Sequence, residues 1–175
     1  MKGTLSKRVL ALDLHSSSFG FAVFDGPDDL IDWGIKSFLH GSKAVKVPMP
    51  QKLAKLINYH EPEIIVIRAP KTTTAQKRAN VVERLTRRRI KIRTIPDAVI
   101  RGAFPQQSRN KYQIATAIAE LFPELSPRLG ARRKVWQSEK YSMSIFDAAA
   151  IALSYFSTQP GCGKSRDETS SPLPH

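Results

Sequence analysis

The 175-residue chain has a single cysteine, Cys162, which excludes an internal disulfide and a thiolate cluster for zinc. No apolar run approaches the roughly 20 residues of a membrane-spanning helix, and Met1 to Lys7 lacks the apolar segment of a signal peptide. A cytoplasmic protein with no membrane partner is therefore expected. Acids are scarce: 15 Asp plus Glu stand against 28 Lys plus Arg, a formal charge of +13. That imbalance favours polyanionic partners, nucleic acid first, while ribosomal or membrane-surface association is also open to so basic a chain. The sequence contains no internal repeat.

What is present is an ordinary globular composition, 41% hydrophobic and 25% charged, at a length that suits one domain with one core. Residues 1–157 carry the periodic segments. From Thr158 onward Pro, Gly, Ser and charge without periodicity predict a disordered tail.

The chain is organised around Arg8 to Asp25, RVLALDLHSSSFGFAVFD. Val9 to Leu12 is a continuous apolar run, as expected of a strand buried on both faces, and Asp13 closes it. A carboxylate beside a buried strand end needs a cation, a metal or hydrogen bonds, so Asp13 is a site candidate; the alternative is an Asp that only caps a turn. His15 to Ser18 makes that turn and GFAVF returns as the second arm of a hairpin.

Leu30 to Leu39 alternates as a half-exposed third strand. Leu53, Leu56 and Ile57 recur at helical spacing in Pro48 to His60, and EIIVI at Glu63 to Ile67 is a further apolar strand, reached through the helix and so expected to lie parallel to the first. Ala75 to Arg89 is predicted helical, with Val81, Val82 and Leu85 as its apolar stripe. Around it cluster Lys77, Arg78, Arg84, Arg87, Arg88, Arg89, Lys91 and Arg93. Cations near a helix C-terminus complement its dipole, but so dense a run of one sign also suits phosphate contact. Ile90 to Ile95 alternates as an edge strand, and Pro96 to Ala103 reads as a short helix.

Asn110 with Gln113 forms a capping-box pattern for a helix to Leu121, with Ile114, Ile118 and Leu121 inward. Glu124 to Lys140 reads as a loop holding a second basic group, Arg128, Arg132, Arg133, Lys134 and Lys140. Trp136 among them suits either base stacking or a core position. The last helix, Ser142 to Phe156, is apolar nearly all round except for Asp147.

This order of elements is that of the ribonuclease H-like fold: α/β, with a mixed five-stranded sheet, three antiparallel strands then two parallel, flanked by helices. The Asp closing the first strand, the strands GFAVF and EIIVI, the helix NKYQIATAIAELFP and the final FDAAAIAL together resemble the RuvC family of Holliday-junction resolvases, over roughly Arg8 to Phe156. The resemblance implies an endodeoxyribonuclease acting in DNA recombination and repair, DNA ahead of RNA as partner, and a homodimer. It implies two divalent metals, Mg2+ or Mn2+, shared by four acids: one ending the first strand, one ending the fourth, and two on the last helix three residues apart. Such a pair polarises the phosphate and activates a water for in-line attack.

Carried over by position, Asp13 and Asp147 are the catalytic and metal-binding acids. Arg68 stands at the fourth-strand position and Ser144 three residues before Asp147, while Leu14 and His15 replace the family's Pro and Gly. Glu139 is a substitute acid that could serve from a loop but not from a helix, where it would lie about 12 Å from Asp147.

Three expectations compete. The chain is a working metal-dependent nuclease using Asp13 and Asp147, with Glu139 or His15 assisting. Or it is a binding module with hydrolysis reduced or lost, because an arginine among the ligands carries the metal's own sign of charge and its fork can pair both acids. Or it is a structural protein built on the same fold.

Overall fold

Two apolar arms around the polar turn become β1 (Val9–Leu14) and β2 (Ser18–Phe24), paired antiparallel with Asp13 opposite Gly20. The structure, a computed structural model, describes residues 7–38, 48–86, 89–105, 110–130 and 142–160. β1 runs one residue past Asp13, which is therefore the penultimate residue of the strand and not its last. The turn into β3 (Leu30–Ser37) uses Gly26 at φ 133°, a conformation that side chains disfavour.

After α1 (Met49–His60), β4 (Ile64–Arg68) returns parallel to β1. β5 (Lys91–Ile95), reached through α2 (Thr73–Thr86), lies parallel to β4. The sheet order is β3-β2-β1-β4-β5, the ribonuclease H-like mixed sheet. β1 is central, which is why its run is continuously apolar, whereas β3 and β5 at the edges are largely half-buried or exposed.

Successive residues of β1 face opposite layers. Leu10 and Leu12 pack against α1 and α2; Val9 and Ala11 pack against the layer of α3 (Asp97–Gly102), α4 (Lys111–Leu121) and α6 (Met143–Ser157). Asp13, next in the alternation after Ala11, falls on the α6 side. α6 is buried along nearly its whole length, with an apolar composition to match.

The capping box forms: the Asn110 side chain accepts from the Gln113 N–H at 2.9 Å, and the Gln113 side chain accepts from the Asn110 N–H at 3.2 Å. Two further expectations need correction. Leu121 is 53% exposed, because the inward stripe continues at a spacing of four, from Ile114 and Ile118 to Phe122. The segment read as a loop from Glu124 begins with a 3-10 turn, Pro123–Leu125, and a helical turn, α5 (Ser126–Leu129), which seat Leu125 in the core. No described helix is long and apolar enough to cross a membrane.

Candidate functional site

Pairing of Leu12 with Ile67 puts Asp13 and Arg68 on the next rung of the two central parallel strands. Pairing of Arg68 with Ile95 brings the start of α3, and with it Asp97, beside them. α6 crosses above and supplies Ser144 and Asp147. Its approach depends on Gly20: a Cβ there would lie 2.2 Å from the Ser144 carbonyl oxygen, so only glycine lets the helix backbone rest on β2.

The result is a cluster of three carboxylates threaded by one guanidinium. Arg68 directs Nη1 to Asp97 Oδ1 at 2.5 Å and Nη2 to Asp147 Oδ1 at 3.5 Å, and its Nε lies 4.0 Å from Asp13 Oδ1. The remaining oxygens are also met. Asp13 Oδ2 accepts from the Ser144 hydroxyl at 2.9 Å and lies 2.6 Å from His15 Nε2. Lys111 Nζ reaches Asp147 Oδ2 at 3.0 Å, and Lys71 pairs with Asp97 Oδ2.

The electrostatics follow from this wiring. Burial pushes the Asp13 pKa up, but the His15 hydrogen bond and charge, the Ser144 hydroxyl and the Arg68 charge outweigh it and hold the carboxyl below its ordinary value. Asp147 goes the other way: burial, reinforced by the Asp13 charge, raises it despite Lys111 and Arg68. Asp97 is lowered by its bond from Lys71, with Arg68 adding to it against burial. Burial disfavours the Arg68 charge, yet Asp97, Asp147 and Asp13 together raise its pKa, so it is a permanent cation. The hydrogen bond to Asp13 raises His15. Opposite shifts on two neighbouring acids mark a site where ionisation is managed residue by residue.

A divalent metal pair does not fit this donor set. Each of the six carboxylate oxygens faces a protein cation or hydrogen-bond donor. Among the described residues no three His, Cys, Asp or Glu side chains are arranged to hold a metal ion. Mg2+ needs near-octahedral oxygen ligands, and here it would have to displace Arg68 and both lysines.

Sequence reading picked out Asp13, His15, Arg68, Ser144 and Asp147, and the structure brings all five together. It passed over Asp97, Lys71 and Lys111. The signal for Asp97 was available: once β5 is parallel to β4, an acid two residues past its end falls beside Arg68. Of the expected nucleic-acid contacts, Lys77, Arg84 and Arg89 are exposed along α2 and after it, and Arg78 is half-buried. Glu139, Arg87, Arg88, Arg132, Arg133 and Lys134, with Trp136, lie outside the described residues.

Among solved structures the fold is similar to RuvC of Thermus thermophilus in complex with a Holliday junction substrate, at TM-score 0.57 and 11% identity over 84% of this chain and 91% of that one. It is similar also to Thermus thermophilus RuvC in a second structure, at 0.56 and 11% over 84% and 92%. Fowlpox virus resolvase in complex with Holliday junction DNA matches at 0.57 and 11% over 86% and 97%. No family model and no curated protein matches the sequence.

Proposed function

We propose that this chain is a resolvase-like nucleic-acid-binding protein, taking branched or duplex DNA, in which an ion-pair network replaces the metal centre and hydrolysis is reduced or lost. The observation that carries the reading is Arg68, whose three nitrogens are distributed over Asp13, Asp97 and Asp147. A guanidinium there neutralises the acids as divalent ions would, but it has no open coordination position from which to activate water. Two of the similar structures named above hold Holliday junction DNA, and the +13 charge with exposed Lys77, Arg84 and Arg89 supports a polyanion partner.

A cleavage assay on four-way-junction DNA with Mg2+ or Mn2+, run beside a salt titration of binding, tests the proposal. Wild type should bind with a steep salt dependence, cleave weakly or not at all, and gain little thermal stability from either metal. Arg68→Glu, which gathers four acids, should be less stable without metal and gain stability when it is added. Robust metal-dependent cleavage by wild type, abolished by Asp13→Asn, would overturn the proposal in favour of a working nuclease.

A further inference from the structure

On the α2 side of the same strand ends lies a crevice of about 190 Å³ that the ion-pair network does not fill. Its walls are largely apolar, with Leu12 and Ile67 from the sheet and Ala75 from α2, and its polar lining includes Arg68, Lys71 and Arg78. Asp13 is the one acid among the lining residues, and it is already held by His15 and Ser144.

Arg78 is the residue the fold leaves unexplained. Its Nε is sealed from water and has no hydrogen-bond partner among the described residues. Among the described residues no acid pairs with its guanidinium either, and the one acid of the crevice, Asp13, is met by His15, Ser144 and Arg68. A buried guanidinium donor without an acceptor is costly and calls for an explanation in a ligand. The missing partner must be an acceptor, since guanidinium only donates, and with Nε sealed from water it is met only when the Arg78 side chain turns into the crevice it lines. A tetrahedral phosphate matches the guanidinium fork with two parallel hydrogen bonds, and the low-dielectric walls strengthen them. With each water filling about 30 Å³, the crevice has room for a phosphate and some of its hydration.

We propose that this crevice receives one backbone phosphate of a bound nucleic acid, gripped by the fork of Arg78 with Lys71 at its mouth. The inference rests on the nucleic-acid reading above and deepens it. The surface cations of α2 supply a general field, whereas Arg78 supplies a fixed seat that sets the register of the strand against the Arg68 cluster. Lys71 joins the two, because it lines the crevice and pairs with Asp97 in the cluster.

The test compares full-length wild type, Arg78→Met, Arg78→Lys and Arg84→Met. Met keeps the apolar stem of Arg78 and removes an unpaired donor, so the unliganded variant should unfold at or above the wild-type temperature. Binding of a labelled four-way-junction DNA is followed from about 50 to about 200 mM salt, and thermal unfolding is followed with inorganic phosphate against chloride at equal ionic strength. Arg78→Met should lower the slope of log affinity against log salt by about 0.9, keep an affinity deficit of tenfold or more at the highest salt, and lose the stabilisation by phosphate.

Arg84→Met should lose a similar slope, with an affinity deficit that fades as salt screens an exposed charge. Arg78→Lys should restore the slope but not the high-salt affinity, because an ammonium lacks the fork. Should Arg78→Met and Arg84→Met behave alike in both assays while wild type binds DNA, the crevice is no seat and only this inference falls. A wild type that binds no DNA but is stabilised by phosphate through Arg78 overturns the nucleic-acid source and the functional proposal with it, leaving a site for a small phosphate compound.

Discussion

At the start of β1, Arg8 grips one carboxylate: Nε and Nη2 each reach an oxygen of Asp25 at 2.8 Å, and Nη1 donates to the His60 carbonyl at 2.9 Å. At the end of β4, Arg68 is spread over three carboxylates with separations of 2.5, 3.5 and 4.0 Å. The first is a closed, bidentate staple that fastens β1 to the end of β2 and the end of α1. Its geometry uses the guanidinium fully on one acid. The second satisfies no single acid in that way. It is a compromise imposed by acids that converge from β1, α3 and α6, and a fold seeking only stability would have no reason to bring three carboxylates to one strand end. The contrast separates structural pairing from a site.

The strongest way to break that contrast is to remove each arginine in turn. Arg68→Ala strands Asp13 and Asp147, both well buried, beside one another without their shared cation. Removing one partner of a buried network should cost about 3 kcal/mol in urea unfolding at neutral pH without metal. A cost under about 1 kcal/mol would show the cluster to be as loosely coupled as a surface pair.

Next in size is Gly20→Ala. The new methyl would meet the backbone of Ser144, which cannot swing aside as a side chain could. Overpacking of this kind costs about 2 kcal/mol, and the displaced α6 should weaken the Ser144 bond to Asp13. Titration of Asp13 by NMR should then show its pKa moving up towards the ordinary value. An unchanged Asp13 titration would mean that the close approach of α6 plays no part in tuning the site.

Much of this arrangement was legible in the sequence because burial leaves a mark on composition. The run Val9 to Leu12 and the apolar α6 announce two-sided burial, so Asp13 and Asp147 stand out as charges where charge is expensive. Arg68, flanking the apolar strand EIIVI, stood out only through the resemblance, which puts an acid at that position. Asp97, Lys71 and Lys111 left no such mark. Each lies at a polar element end where charge is unremarkable, and its partner is fixed by strand register and helix packing that no local pattern encodes. Leu121 failed for a related reason: the periodicity allowed a spacing of three or four, and the packing of α4 on α6 chose Phe122.

A smaller effect separates the ends by pH. The His15 pKa is raised in the folded protein, so its charge stabilises fully below its unfolded value, about 6.5, and that contribution is lost as pH rises through the raised value. The Asp13 pKa is lowered, so its share is present above about 3.9 and lost as pH falls through the depressed value. Wild type should therefore exceed His15→Gln by about 1 kcal/mol between these limits, with the gap closing on the alkaline side. Asp147 is raised by burial in both proteins, but its attraction for the His15 charge is lost in the variant, so it widens the gap with the same alkaline closing as His15 itself. A gap independent of pH would mean that His15 acts only as a neutral hydrogen-bond donor.

Smallest is the effect expected at the other end of β1. Arg8 and Asp25 are 39% and 31% exposed, so water and salt screen their attraction despite the bidentate geometry. Arg8→Ala should cost below about 1 kcal/mol, and 1 M salt, where the screening length falls to about 3 Å, should erase most of that. The bond from Arg8 to the His60 carbonyl is a separate, neutral contribution that salt leaves in place, so a small residue of the effect should persist. The Asp25 pKa, lowered first by its hydrogen bond from Arg8, should return towards its ordinary value in the variant. If Arg8→Ala instead destabilised the chain as much as Arg68→Ala, with the same insensitivity to salt, the two arginines would be equivalent staples and the three-acid cluster would lose its claim to be anything more.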